Sequence, residues 1–285
     1  MQILTKPDEI KALCLRWRAQ GISIGLVPTM GAYHAGHRSL MQAARQANER
    51  VVVSLFVNPA QFGPGEDLAA YPRSPESDAA TAEAAGADLL FMPGPEQLYA
   101  QDHATWVQVP ALAQKLCALS RPDHFRGVCT VVLKLLLLCQ PHQAFFGQKD
   151  WQQLAIIRRM VRDLNVNCEI CGCPIVREAD GLALSSRNIY LQPGERAQAP
   201  QLYAGLRQAL ELCGRGETSA PALYAAVRAH WAQALPAGQE EYLTLVHPES
   251  MEELDKIETQ GLLATALRLG SARLIDNVLL SLPTA

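Results

Sequence analysis

The chain has 285 residues, 49% of them hydrophobic, and a formal net charge of −3. That length suits one large domain or two ordinary ones, and the apolar content suffices for a sizeable core. The near-neutral balance leaves no basic footprint, which argues against nucleic acid or an anionic membrane surface as partner.

The opening stretch MQILTKPDEIKALCLRW lacks the long apolar core of a signal peptide. The most apolar run, VCTVVLKLLLLC (128–139), is too short to span a bilayer and carries Lys134. It reads as a helix buried on most sides. These features predict a soluble, cytoplasmic protein.

In chain order, ISIGLV (22–27), VVVSLFV (51–57), DLLFM (88–92), QAFFG (143–147) and CEICGC (168–173) read as strands. Helical spacing lies between them, in HRSLMQAARQAN, SDAATAEAAG, GVCTVVLKLLLLCQ and WQQLAIIRRMVRDLN. Strands buried on both faces read as continuous apolar runs, as these do. The alternation predicts an α/β fold with a Rossmann-like, doubly wound parallel sheet. Ligands bind such sheets at the C-terminal ends of the strands, so the loops after residues 27, 57, 147 and 173 are the places to look.

The pattern changes after about residue 188. PGERAQAPQLYAGLRQALELCGRG reads as one helix from Pro193 to about Gly214, and SAPALYAAVRAHWAQAL as a second. YLTLVH (242–247) and SARLIDNVLL (271–280) read as strands. We expect a larger domain over 1–177 and a smaller α+β domain over 178–285.

Four loops carry candidate chemistry. In PTMGAYHAGH (28–37), Gly31 and Gly36 loosen the backbone where a strand meets a helix, and His34 and His37 project there. A phosphate can approach such a helix start, with imidazoles as added donors. By itself the segment also admits two capping or packing histidines, or an H-x-x-H zinc chelate, although no carboxylate follows in a zincin pattern and a glycine adjoins the second histidine. In FVNPAQF (56–62), Asn58 and Gln61 offer amides to a small polar ligand. In FFGQKDWQQL (145–154), Lys149 can meet phosphates, Asp150 can accept from ribose or cap a helix, and Gln153 lies one turn on. In READGLALSSRN (177–188), Ser185, Ser186 and Arg187 form a hydroxyl–hydroxyl–guanidinium cluster suited to phosphate oxygens. Of the eight cysteines, Cys168, Cys171 and Cys173 form the one cluster with metal-like spacing, although the segment reads as a strand running into a proline.

Together the loops resemble the HIGH and KMSKS pair of the class I adenylate-forming nucleotidyltransferases. Within that group, PTMGAYHAGH, FVNPAQF, AYPR (70–73), FRGV (125–128), FFGQKDWQQL and VREADGLALSSRN (176–188), in that order, are similar to the pantothenate synthetase (pantoate–β-alanine ligase) family. The resemblance implies a two-step ligase with ATP as substrate, Mg2+, and no tightly bound organic cofactor. Pantoate is adenylated, then β-alanine displaces AMP. It implies ATP contacts along Met30, Gly31, Ala32, Tyr33, His34, Ala35, Gly36 and His37. Further ATP contacts would be Gly147, Gln148, Lys149 and Asp150, then Val176, Leu184, Ser185, Ser186 and Arg187. Gln61 would hold pantoate and neighbour β-alanine, Gln153 would hold pantoate, and Asn58 would assist. His37 would be the catalytic proton donor, with His34, Lys149, Ser185, Ser186 and Arg187 as further catalytic groups. Magnesium would sit mostly on phosphate oxygens and water, with Asp78 assisting. A homodimer through the larger domain, and a lid role for the smaller one with 176–190 as hinge, complete the expectation. Two positions depart from the family pattern: Leu184 stands where it has methionine, and Gln148 where it has glutamate. Another adenylyl-transferring member of the superfamily, a nucleotide sensor without catalysis and a zinc protein are the alternatives.

Overall fold

The computed structural model describes residues 1–282, apart from the side chains at 119 and 120. The chain divides into two compact units. The first comprises 1–114, 118–148 and 156–174; the second comprises 115–117, 149–155 and 175–285.

The first unit holds β1 (Gln2–Leu4), α1 (Pro7–Ala19), β2 (Ile24–Thr29), α2 (Ala35–Ala47), β3 (Arg50–Leu55), α3 (Pro75–Ala84), β4 (Leu89–Phe91) and α4 (Pro95–Leu98). A short helix, α5 (Cys117–Ser120), precedes α6 (His124–Cys139), β5 (Gln143–Gly147), α7 (Trp151–Asp163) and β6 (Glu169–Cys173). The six strands form one parallel sheet in the order β1-β4-β3-β2-β5-β6. The chain works outward from β2 in one direction, then returns to place β5 on the other side of β2. That reversal is the switch point of a doubly wound sheet, where ligands bind at the strands' C-terminal ends. Pairing of β2 with β5 covers Gly25↔Gln143 and Leu26↔Ala144, whereas β2 pairs with β3 as far as Thr29↔Leu55. The ladder between β2 and β5 thus stops at Leu26 and Ala144, before the ends of both strands at Thr29 and Gly147.

Burial explains why these strands were legible. Residues 51–54 of β3 are all buried, as are 24–27 of β2, so both carry apolar side chains on both faces. Helix α6 buries Phe125, Val128, Cys129, Val131, Val132, Leu135, Leu136 and Cys139, with Leu137 exposed. Each large side chain so buried contributes about 1.5–3 kcal/mol. No helix of the described residues is long and apolar enough to cross a membrane.

The second unit contains α8 (Pro193–Gln198), α9 (Gln201–Gly214), α10 (Ala220–Ala234), β7 (Gly238–Val246), β8 (Gln260–Leu269) and β9 (Ala272–Ser281). The three strands form an antiparallel sheet in chain order. The single helix expected from Pro193 to about Gly214 is two, broken between Gln198 and Gln201. Pro200 is the cause: it has no N–H to continue the first ladder, and it becomes the N-cap of α9. Helices α9 and α10 meet at Gly205, where an added Cβ would stand 2.1 Å from Trp231 Nε1. That indole donates to the Gln201 and Leu202 carbonyls at 3.1 and 3.2 Å.

Candidate active site

Residues 30–34 link β2 to α2, and this backbone needs two left-handed residues, Gly31 (φ 91°) and Ala32 (φ 52°). Asp78, on α3 and 2% exposed, holds this turn. Its Oδ2 accepts from the Ala32 N–H at 2.9 Å and its Oδ1 from the Tyr33 N–H at 2.8 Å. The carboxylate expected to assist magnesium is therefore engaged with the loop through both oxygens. Burial pushes the Tyr33 phenol well above its ordinary value, the Thr29 hydroxyl lying 3.0 Å away lowers it and the Asp78 charge raises it, so Tyr33 stays neutral.

His34 caps α2. Its Nδ1 accepts from the Gly36 N–H at 3.1 Å, and His37 Nδ1 reaches back to the His34 N–H at 3.4 Å. The rings lie 4.2 Å apart between centroids. With Nδ1 accepting in both, each neutral ring carries its proton on Nε2. The start of α2 thus sets two imidazoles beside its own positive dipole end, an arrangement suited to phosphate. Gly36 makes the geometry possible, because a Cβ there would stand 2.8 Å from His34 Cε1.

After β3, Asn58 caps the 3-10 turn Pro59–Gln61. Asn58 is 1% exposed and works inward. Its Nδ2 donates to Gln61 Oε1 at 3.1 Å and to the Gly127 carbonyl at 3.2 Å; its Oδ1 accepts from the Tyr99 hydroxyl at 2.9 Å and the Ala60 N–H at 3.3 Å. Asn58 therefore aims Gln61. The Gln61 Nε2 lies 3.0 Å from Met30 Sδ, which ties this turn to the loop after β2. Arg121 Nη2 donates to the Gln61 carbonyl at 3.2 Å, and His124 Nδ1 lies 2.9 Å from it. Arg121 Nε in turn holds Glu66 Oε1 at 2.8 Å. Burial alone would raise the Glu66 carboxyl, but the Arg121 hydrogen bonds and charge outweigh it and hold Glu66 below the usual range.

Beyond β5, Gly147 leads into the 3-10 turn Gln148–Asp150. In the second unit, Lys149 Nζ lies 3.7 Å from Asp150 Oδ2, and the Lys149 carbonyl accepts from Asn277 Nδ2 at 3.0 Å. Gln152 is buried and bridges the Cys117 N–H and Lys115 carbonyl, while Gln153 beside it is half-buried. After β6, the chain folds back on itself. The Leu184 N–H donates to the Val176 carbonyl at 3.0 Å, Arg177 bridges Ala183, and Gly181 turns the tip at φ 98°. This hairpin delivers Ser185, whose Oγ accepts from the Arg187 N–H at 3.3 Å and caps the 3-10 turn Ser186–Tyr190.

The expected residues thus fall into two groups. Met30–His37, Asn58, Gln61, Asp78, Gly147 and Gln148 belong to the first unit; Lys149, Asp150, Gln153, Val176, Leu184, Ser185, Ser186 and Arg187 to the second. Tyr99, Arg121, Glu66, Asp276 and Asn277 support these groups and were missed in the sequence. The Asp276–Asn277 pair left a signal: two polar residues interrupt an otherwise apolar strand, SARLIDNVLL. Among the described residues, no three His, Cys, Asp or Glu side chains converge as a metal site, and none of the eight cysteines is in a disulfide.

Comparison with known proteins agrees with this architecture. A family model described as pantoate-beta-alanine ligase matches residues 2–279. A pantothenate synthetase of Nitratidesulfovibrio vulgaris is 61% identical over 280 residues, covering 98% of this chain and 99% of its own length. The crystal structure of the pantothenate synthetase from Thermus thermophilus superposes with a TM-score of 0.93 at 46% identity, covering 99% of this chain and 100% of that one. A pantoate-beta-alanine ligase from Francisella tularensis, solved in complex with β-γ ATP and β-alanine, gives a TM-score of 0.80 at 32% identity, covering 98% of this chain and 97% of that one. The chain belongs to the pantoate–β-alanine ligase family.

Proposed function

We propose that the chain condenses pantoate with β-alanine at the expense of ATP, forming pantothenate through a pantoyl adenylate. In the first step a pantoate carboxylate oxygen attacks the α-phosphorus of ATP, and the bond to the β-phosphate breaks with pyrophosphate leaving. In the second, the neutral amine of β-alanine attacks the activated carbonyl carbon, the C–O bond to AMP breaks with AMP leaving, and the proton lost from the amine passes to water. The nucleophile of the first step is already ionised, so no base is needed. The barrier comes from two anions meeting and from charge gathering on the phosphates, which donors and cations relieve.

The observation that supports this reading is the start of α2, where both histidines turn Nδ1 to the backbone of the cap, an arrangement in which a neutral ring has its N–H at Nε2. His37 serves as the donor to the departing phosphate, giving it a hydrogen bond from a proton that stays on the ring, with His34 beside it. Lys149, Ser185, Ser186 and Arg187 act on the same nucleotide's phosphates. Asp150 and the Val176–Leu184 backbone contact its nucleoside, and Gly147 and Gln148 lead into them. Gln61 and Gln153 hold pantoate by amides, which adds no charge to compete with ATP, and Asn58 orients Gln61. Mg2+ enters bound to ATP. Contact of ATP with the main chain at Leu184 survives the change from methionine. Use of ATP as substrate supports a cytoplasmic enzyme, and the family resemblance supports a homodimer through the larger unit.

The test is ATP–pyrophosphate exchange with pantoate present and β-alanine absent. Pantoate-dependent exchange is expected; folded protein that shows none sinks the adenylate mechanism.

A further inference from the structure

Asp276 and Asn277 are neighbours on β9 and are 2% and 5% exposed. Successive strand side chains project to opposite faces, and these two reach different segments of the second unit. Asp276 grips Arg177 in a two-pronged ion pair, Nη1 to Oδ2 at 2.6 Å and Nη2 to Oδ1 at 2.9 Å. Arg177 also lies over the Tyr203 ring at 3.5 Å and donates to the Gly181 carbonyl at 3.2 Å, so it spans both sides of the hairpin that leads to Ser185. Asn277 donates to the Lys149 carbonyl at 3.0 Å. The Asn277 N–H in turn donates to Asp276 Oδ1 at 2.8 Å, which locks the two grips together.

A buried ion pair is a poor way to gain stability, since apolar side chains of similar volume do as well or better. What the arrangement fixes is location. Lysine is a point charge on a flexible stem, so where its ammonium can reach depends on where its backbone is held. We propose that Asp276 and Asn277 are positioning residues for adenylation: one strand holds the Lys149 backbone on one face and, on the other, the Val176–Leu184 hairpin that leads to Ser185–Arg187. This rests on the phosphate roles given above to Lys149 and Arg187.

Positioning errors of about 1 Å cost on the order of a hundredfold in rate, and that is the expected fall in pantoate-dependent ATP–pyrophosphate exchange for Asn277→Ala. Aminolysis by β-alanine of pantoyl adenylate supplied directly should stay near the wild-type rate, because its pyrophosphate has already left. In a Lys149→Ala background, Asn277→Ala should lower exchange no further, since residues acting through one another are not additive. Asp276→Asn should behave likewise against Arg187→Ala. Melting curves check folding, and if Asn277→Ala does not fold, Asn277→Ser is read in its place. Equal losses in both half-reactions, full additivity with Lys149→Ala, or unchanged exchange each overturn the positioning role. Absence of exchange in the wild-type protein overturns the activity instead, so the two failures are distinct.

Discussion

Asp78 sits so close to Gly31 that a Cβ built on the glycine would stand 2.9 Å from its Oδ2. The same oxygen accepts from the next residue's N–H, so carboxylate and glycine define one turn. Gly31→Ala therefore faces two penalties, a left-handed φ costing an L-residue roughly 1–2 kcal/mol and a collision with the acceptor. Asp78→Asn keeps the shape but turns an NH2 group toward a backbone N–H. Leaving such a buried donor unmatched costs about 1–3 kcal/mol. Both variants should melt earlier and lose exchange activity together, and calorimetry with pyrophosphate exchange checks this. An Asp78→Asn enzyme of normal stability whose exchange is restored by excess magnesium would instead give Asp78 a metal role.

The two histidines can be separated by what each does for the helix. His34→Asn retains a good N-cap residue but removes the Nε2 donor, so stability should hold while exchange falls. His34→Ala should lose both, the cap contributing about 1 kcal/mol. His37→Ala should reduce exchange by about 3 kcal/mol, a hundredfold or more, as expected for loss of a transition-state phosphate donor. Near-normal turnover in His37→Ala would reduce its role to packing against His34 and Tyr33, whose rings it touches.

The sequence carried β2 and β3 clearly because both are buried on both faces and show as apolar runs, and β5 more weakly, whereas β1 (Gln2–Leu4), three residues with two of them exposed, left no pattern to read. It carried the loops at their C-terminal ends for the same reason, since a strand's end fixes where its loop begins. Strand β8 escaped because QGLLATALRL is built from leucine and alanine, residues that favour helix, with Thr265 its one β-branched residue. Burial between β7 and β9 decides its conformation, and neighbours in space do not appear in local pattern. The supporting shell was hidden for a similar reason. Tyr99 and Asn58 lie 41 residues apart and Asn277 and Lys149 lie 128 apart, so no spacing rule connects them.

Gly127 offers a test of the Asn58–Gln61 turn that touches no proposed ligand contact. A Cβ there would lie 2.2 Å from the Ala60 carbonyl oxygen and 2.6 Å from the Gln61 nitrogen, both backbone atoms. Gly127→Ala must therefore push the turn away from α6, against a typical overpacking cost of about 1–3 kcal/mol. The Gln61 amide moves with it. The KM for pantoate should rise by much more than the KM for ATP, and steady-state kinetics with each substrate varied separates the two. Equal changes in both would argue against pantoate binding through Gln61.

The Arg121–Glu66 pair predicts a pH dependence. The Glu66 carboxyl is held below its ordinary value in the folded protein, with burial opposing and Arg121 prevailing. A group with a lowered folded-state value contributes stability above its unfolded value and loses it as the pH falls through the folded one. The pair should therefore be intact at neutral pH and through mild acid, and weaken only below the usual glutamate range. Glu66→Gln should melt below the wild type at pH 7, and the difference should close as the pH drops below about 4, where glutamate ordinarily protonates. Because Arg121 also donates to the Gln61 carbonyl, pantoate affinity should follow the same course. Melting temperatures and pantoate KM values measured for both proteins across acid pH check it; a gap that widens on acidification would reverse the assigned sign.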